Sequence, residues 1–145
     1  MLLKPKLAWL ALLLGTSALA DVHEVKMLNR GAAGSMVYEP DFLRLAPGDS
    51  VRFIPTQNGH NAASMDDLLP PGASAFKSQL NQPVEQTFEV PGFYGIQCSP
   101  HVAMGMVMLI QVGTPAETLP KLPEGLAPRA RERLGAIIQR ALAPH

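Results

Sequence analysis

The chain has 145 residues, with 12 Lys plus Arg against 12 Asp plus Glu, and so no formal net charge at pH 7. This balance gives no support for nucleic-acid binding as the main task, because that function needs a basic surface. A single cysteine also excludes an internal disulfide bond and favours a metal ligand, a free thiol or an intermolecular bond.

Residues 1–20 have the pattern of a cleaved signal peptide. Two lysines precede an apolar run, residues 7–14, which is shorter than the roughly 20 residues that a transmembrane helix needs. Ala18 and Ala20 supply the small residues that mark a cleavage site. We therefore expect an exported protein whose mature chain begins at Asp21 and has no membrane anchor.

Residues 21–114 consist of short apolar segments separated by Gly, Pro, Asn and Asp, which predict an all-β antiparallel sandwich or barrel. The predicted strands, in chain order, are Val22–Leu28, Phe42–Leu45, Ser50–Ile54, Val84–Val90, Phe93–Gln97 and Val107–Val112. The last of them is apolar enough to be central in its sheet. We expect residues 61–83 to form a long loop with a helical turn near Ala73–Phe76.

After Gly113 the composition changes, and two helices are predicted. The first is Pro115–Leu122, with Thr114 as N-cap and proline in the first helical position. The second is Pro128–Leu142, whose apolar stripe indicates a helix that covers sheet surface. We interpret residues 115–145 as a C-terminal helical extension packed on the domain formed by residues 21–114.

Four side chains supply the ligands of a type 1 copper site, which has two imidazoles, one thiolate and a weak axial thioether. His60 lies in a loop after the third predicted strand, and Cys98, His101 and Met106 lie between the last two strands. Loops at one pole of a sandwich can bring these residues together. Pro100 stiffens the loop and removes a backbone donor near the sulfur.

Each ligand has another interpretation. Cys98 alone is typical of a small buried side chain, and alternating methionines are typical of a packed strand face. A structural zinc site usually has more thiolates than this chain offers. The spacing also leaves Met104 open as the axial ligand in place of Met106.

The ligand set favours a one-electron carrier over an enzyme, with copper as cofactor. The alternative is a copper-binding protein for delivery or storage, but the chain has no long Met-rich tract. A hydrolase with Cys98 as nucleophile would need a helix N-terminus or a base to activate the thiolate, and the sequence places neither there.

These residues occur in segments that resemble the pseudoazurins, small cupredoxins that carry electrons in the bacterial periplasm. The matching segments are Val25–Asn29, Met36–Pro40, Phe53–Pro55, Gly59–Asn61, Phe76–Ser78 and Cys98–Met106. The two predicted C-terminal helices match too, through Glu132–Leu134. The resemblance covers nearly the whole mature chain. It implies a periplasmic protein with an eight-stranded Greek-key cupredoxin sandwich followed by two helices.

The resemblance also implies roles for single residues. Met106 would be the axial ligand. Asn61 would join the two ligand loops and donate its backbone N–H to the Cys98 sulfur, and such contacts tune a metal. Met36 would pack beside the His101 ring, and the exposed edge of that ring would be where the electron leaves.

The implied partners are redox proteins, such as a copper nitrite reductase or a c-type cytochrome, and we expect a monomer. Pseudoazurins often carry lysines around the docking patch, which steer them to an acidic partner. The matching positions here include Asn58, Asp66, Gln79 and Gln97. Arg30 and Lys77 remain basic, so we expect weaker charge steering.

Overall fold

The computed structural model describes residue 15 and residues 18–143. These residues contain eight strands and one α-helix. The strands are β1 Val22–Gly31, β2 Gly34–Glu39, β3 Phe42–Leu45, β4 Ser50–Ile54, β5 Ala63–Ser64, β6 Val84–Thr87, β7 Gly92–Gln97 and β8 Val107–Val112. A 3-10 turn, Val102–Met104, precedes β8, and α1 is Pro128–Leu142. Most of the predicted signal peptide lies outside the described residues. No helix among the described residues has the length and apolarity of a membrane span.

The strands form two four-stranded sheets, in the orders β2-β1-β4-β6 and β3-β8-β7-β5. The predicted sandwich is confirmed, but the sheets are not wholly antiparallel. β1 pairs with β4 and β3 pairs with β8 in parallel, because the intervening chain crosses between the sheets. Alternating apolar residues predict a strand but not its direction, so the sequence did not reveal these pairs.

Strand β8 is buried on both faces, as its apolar run predicts. Met108, Ile110 and Val112 belong to the core between the sheets. Val107 and Leu109 point to the other side and belong to a second apolar cluster. That cluster includes Ala130, Leu134 and Ile137 of α1. The helix therefore covers the outer face of β8, which leads directly out of the metal-ligand loop.

The second predicted helix is confirmed with its bounds, and Pro128 occupies its first turn. The first predicted helix, Pro115–Leu122, was wrong, because these residues form only bends and irregular chain. Pro120 explains the difference. A proline ring disfavours helical geometry in the preceding residue and clashes with the carbonyl four residues earlier. Too few residues then remain after Pro115 for a stable helix.

The long loop between β4 and β6 differs from its prediction. Ala73–Phe76 is not a helical turn, and the loop contains the short strand β5. The N–H of Ser64 donates to the Phe76 carbonyl, and the N–H of Phe76 donates to Ser64 Oγ, both at 2.9 Å. This long-range pairing holds the loop extended. Strand β2 was also missing from the predicted strands, and β6 ends before the predicted Val90.

Candidate metal centre

The chain brings three nitrogen and sulfur donors together at one pole of the sandwich. His60 lies in the loop after β4, Cys98 follows β7, and His101 precedes the 3-10 turn. Cys98 Sγ lies 3.7 Å from His60 Nδ1 and 3.5 Å from His101 Nδ1, and the two Nδ1 atoms are 3.2 Å apart. One ion placed between these atoms could bind all three.

The tautomer of His60 suits a metal ligand. Its Nε2 lies 2.7 Å from Asn29 Oδ1 at the end of β1. An amide oxygen only accepts hydrogen bonds, so Nε2 carries the proton and the Nδ1 lone pair faces Cys98. Burial lowers the pKa of His60, and the nearby His101 lowers it further. His60 is therefore a neutral imidazole at neutral pH.

The thiol of Cys98 is fully buried, and this burial raises its pKa. The backbone N–H groups of Asn61 and His101 act in the opposite direction by hydrogen bonding to the sulfur. Without a metal the thiol is protonated at neutral pH, so metal binding must release that proton. One soft thiolate and two imidazoles in a buried pocket fit copper.

The two candidate axial methionines differ in burial. Met106 is 0% exposed and belongs to the same core cluster as Cys98, whereas Met104 is 44% exposed. The N–H of Cys98 also donates to the Met106 carbonyl at 3.1 Å. Gly105 makes this close return of the chain possible. Its φ is +92°, a backbone conformation that glycine adopts readily. Glycine also lets α1 pack closely here, because a Cβ at this position would lie 3.2 Å from the carbonyl oxygen of Arg129.

Asn61 joins the two ligand loops through its side chain. Its Oδ1 accepts the N–H of Ser99 at 2.7 Å, and its Nδ2 donates to Ser99 Oγ at 3.0 Å and to the Ser78 carbonyl at 3.2 Å. Its own carbonyl accepts the Tyr38 hydroxyl at 2.8 Å. The position of the Cys98 loop is therefore fixed relative to the His60 loop.

The other residues that the sequence singled out lie around these loops. Met36 is half-buried, has a φ of 51° and packs against the core cluster that contains Cys98. Pro100 is exposed in the turn before His101. His101 is partly exposed, and its ring lies 4.9 Å, centroid to centroid, from the fully buried ring of His60.

Two supporting residues were missed by the sequence analysis. Arg133 of α1 donates to three carbonyls, at 2.6 Å to Met36, 2.9 Å to Gly105 and 3.1 Å to Ser35. Asn81 accepts the N–H of Gly59 at 2.5 Å and donates to the His60 carbonyl at 2.9 Å. Asn81 has a φ of 62°, a geometry that asparagine adopts more readily than most residues. Neither role has a local sequence signal.

We expect Asn61→Ala to lower the free energy of unfolding by about 1–3 kcal/mol, because it leaves the Ser99 N–H and the Ser78 carbonyl without their partner. Chemical denaturation of the copper-free protein measures this loss. Asn58→Ala is the matched control, since Asn58 is an exposed residue near the same loop and its replacement should change stability by less than about 0.5 kcal/mol. Equal effects of the two variants would contradict the bridging role.

A model of copper binding proteins of the plastocyanin/azurin family matches residues 25–113, which include the four candidate ligands. A pseudoazurin from Paracoccus pantotrophus is 44% identical over 126 residues, covering 86% of this chain and 87% of its own. The structure of a Sinorhizobium pseudoazurin has a TM-score of 0.78 at 36% identity and covers 83% of this chain and 95% of that one. For a Methylobacterium extorquens pseudoazurin the TM-score is 0.75, also at 36% identity, with 83% and 98% covered.

Proposed function

Because the chain belongs to the pseudoazurin group of the plastocyanin/azurin copper-binding family, we propose that it is an exported, monomeric one-electron carrier of the periplasm. Copper is its cofactor, and electron transfer is its activity. We propose that cleavage removes residues 1–20, and that residues 115–145 cover the domain formed by residues 21–114. On this proposal the protein performs no chemistry on a substrate.

The proposed ligands are His60, Cys98, His101 and Met106. The observation that carries the proposal is the buried cluster of one sulfur and two Nδ1 atoms, with separations of 3.2–3.7 Å. A bound copper ion supplies a one-electron couple. The chain's task is to hold the donors in nearly the same positions in both oxidation states. Asn29 fixes the His60 ring, and the Asn61 bridge fixes the loop of Cys98.

We propose that electrons enter and leave at His101. Of the three clustered donors, His60 and Cys98 are fully buried, while His101 is partly exposed. Exposed Met104 and Leu80, 44% and 52% exposed, provide apolar contact area at this pole. A partner that covers these side chains would approach the ligand ring without moving the buried donors.

We expect Met106→Leu to retain copper and to raise the reduction potential, because loss of the weak axial donor disfavours Cu(II). Met104→Leu is the matched control and should leave the potential nearly unchanged, since its side chain is largely exposed. Protein-film voltammetry of both variants measures the two potentials. The reverse ranking would assign the axial position to Met104.

The proposed partners are a copper nitrite reductase or a c-type cytochrome, which would dock on the pole around His101. Lys77 supplies positive charge there, because it borders a depression that it shares with Leu80, Ser99 and Pro100. A second depression places Lys77 with Asp66 and Gln97. The charges at this pole are therefore mixed, which supports docking by apolar contact with modest electrostatic steering.

Electron-transfer rates to such a partner test the proposal. We expect Lys77→Glu to slow the bimolecular rate, and we expect the wild-type rate to fall only modestly as salt shortens the screening length to about 8 Å. Lys121→Glu is the control, because Lys121 lies beside the Pro91–Gly92 turn that begins β7, away from the ligand loops. A steep salt dependence together with no effect of Lys77→Glu would place docking elsewhere.

Copper delivery or storage is the alternative function, and the burial of the ligands argues against it. Two of the three clustered donors have no exposed surface, so copper could not pass quickly to a second protein. An intense visible charge-transfer band and slow loss of copper to a chelator support the electron carrier. Rapid transfer of copper to an acceptor protein would support delivery.

A further inference from the structure

A histidine stands third in the predicted mature chain, after Asp21 and Val22. We infer that this N-terminal segment is a second metal site, a square-planar chelate that binds Cu(II) and accepts Ni(II). Its ligands are the α-amine of Asp21, the main-chain nitrogens of Val22 and His23, and His23 Nδ1. The inference rests on cleavage after Ala20, which creates the free amine.

The spacing determines the chemistry. With histidine in the third position, the four nitrogens close three fused chelate rings in one plane, and planar nitrogen sites suit Cu(II) and Ni(II). The α-ammonium and the two main-chain amides each release one proton on binding, and the copper remains Cu(II). Two anionic nitrogens stabilise Cu(II) against reduction. This site therefore holds copper without cycling between oxidation states.

The structure places the histidine ring in the tautomer that the chelate needs. His23 Nε2 lies 3.3 Å from Asp49 Oδ2, and Asp21 N lies 3.0 Å from Asp49 Oδ1. A carboxylate only accepts hydrogen bonds, so Asp49 keeps the proton on Nε2 and leaves Nδ1 free. Asp49 is itself buried, and its Oδ2 also accepts the N–H of Ala46 at 3.0 Å.

Chelation opens only the start of the ladder, because Val22 and His23 form the first two of the five pairs between β1 and β4 and their amide nitrogens must leave it. Residues 18–20 are exposed and irregular, and Val22 is 51% exposed at the start of β1. The N–H of Ser50 donates to the Asp21 carbonyl at 2.9 Å. This bond can persist, because the carbonyl oxygen is not a ligand. From Glu24 onward, the pairing of β1 with β4 is unaffected.

The chelate and the redox centre lie at opposite ends of β1. His23 is near the start of the strand, and Asn29, which contacts His60, is near its end. At the rise of a β-strand this separation is roughly 20 Å. The two sites share no residue, so each can be loaded and measured while the other remains intact.

The experiment uses the mature protein purified after export, with its redox site already filled with copper. Mass spectrometry first establishes whether the chain begins at Asp21. One further equivalent of Ni(II), and separately of Cu(II), is then titrated in. We expect one tight equivalent, with a square-planar Ni(II) absorption band or a second Cu(II) electron paramagnetic resonance signal, and an unchanged blue band.

Two variants separate the chelate from other binding. His23→Phe should lose the additional equivalent. A protein with one glycine added before Asp21 should lose it too, although every side chain remains, because the amine and the histidine no longer have the required spacing. If the extended protein binds as tightly as wild type, the side-chain cluster with Asp49 holds the metal and the inference is overturned. A different mature N-terminus, or no additional equivalent, also overturns it.

Discussion

Cys98→Ala is expected to abolish the intense visible absorption of the copper protein completely. The thiolate supplies the charge-transfer transition and the strongest of the proposed bonds, and the remaining imidazoles of His60 and His101 cannot replace either. The fold should persist, because removing one buried sulfur costs only about 1 kcal/mol. Absorption spectra after copper addition and circular dichroism of the copper-free protein measure the two outcomes.

Cys98→Ser is the companion variant, since it keeps the side-chain size while removing the soft donor. It should also lack the intense band, so that loss of colour in Cys98→Ala cannot be attributed to a cavity. If either variant kept the band, Cys98 would not be the thiolate ligand, and the proposed centre would be wrong.

The second large effect is expected for Arg133→Met. Its guanidinium joins α1 to the carbonyls of Ser35, Met36 and Gly105, and hydrogen bonds from a charged group contribute about 1.5–3 kcal/mol each. Because one side chain makes all three, their contributions do not add, and we expect a loss of about 2–4 kcal/mol in the free energy of unfolding. Denaturation of the copper-free protein measures it.

The same variant should change the copper centre. Gly105 adjoins Met106, so loss of its anchor should alter the position of the axial sulfur and the relative intensities of the visible bands. Arg129→Met is the matched control, because this arginine is exposed in the first turn of the same helix. If Arg133→Met lowered stability but left the visible spectrum identical to wild type, Arg133 would support only the fold.

The sequence predicted the three clustered donors, His60, Cys98 and His101, because the chemistry of metal ligands limits the possibilities. One cysteine followed closely by a histidine and two methionines is compatible with few functions in a small chain, and the resemblance to the pseudoazurins then favoured Met106 over Met104 as the axial ligand. The geometry needed the structure, because the tautomer of His60 depends on Asn29. These residues are 31 positions apart, and no periodicity relates them.

The sequence-based predictions failed once because a local signal was given too little weight, and otherwise because long-range contacts decide the structure. Proline in the first position favoured a helix at Pro115–Leu122, yet Pro120 prevents it. Residues near Ala73–Phe76 are held extended by Ser64, which no local pattern indicates. Arg133 lies on the polar side of a helix, where a charged residue usually contacts solvent. Its contacts with main-chain carbonyls follow from packing alone.

The placement of the donors also has a mechanical consequence. His60 follows β4 of one sheet and is held by Asn29 of β1, whereas Cys98 and His101 lie between β7 and β8 of the other sheet. A bound metal is therefore a cross-link between the two halves of the sandwich. The chain's only cysteine cannot form an internal disulfide, so the bound copper is the covalent link between side chains of the two sheets. The free energy of copper binding therefore adds to the free energy of unfolding.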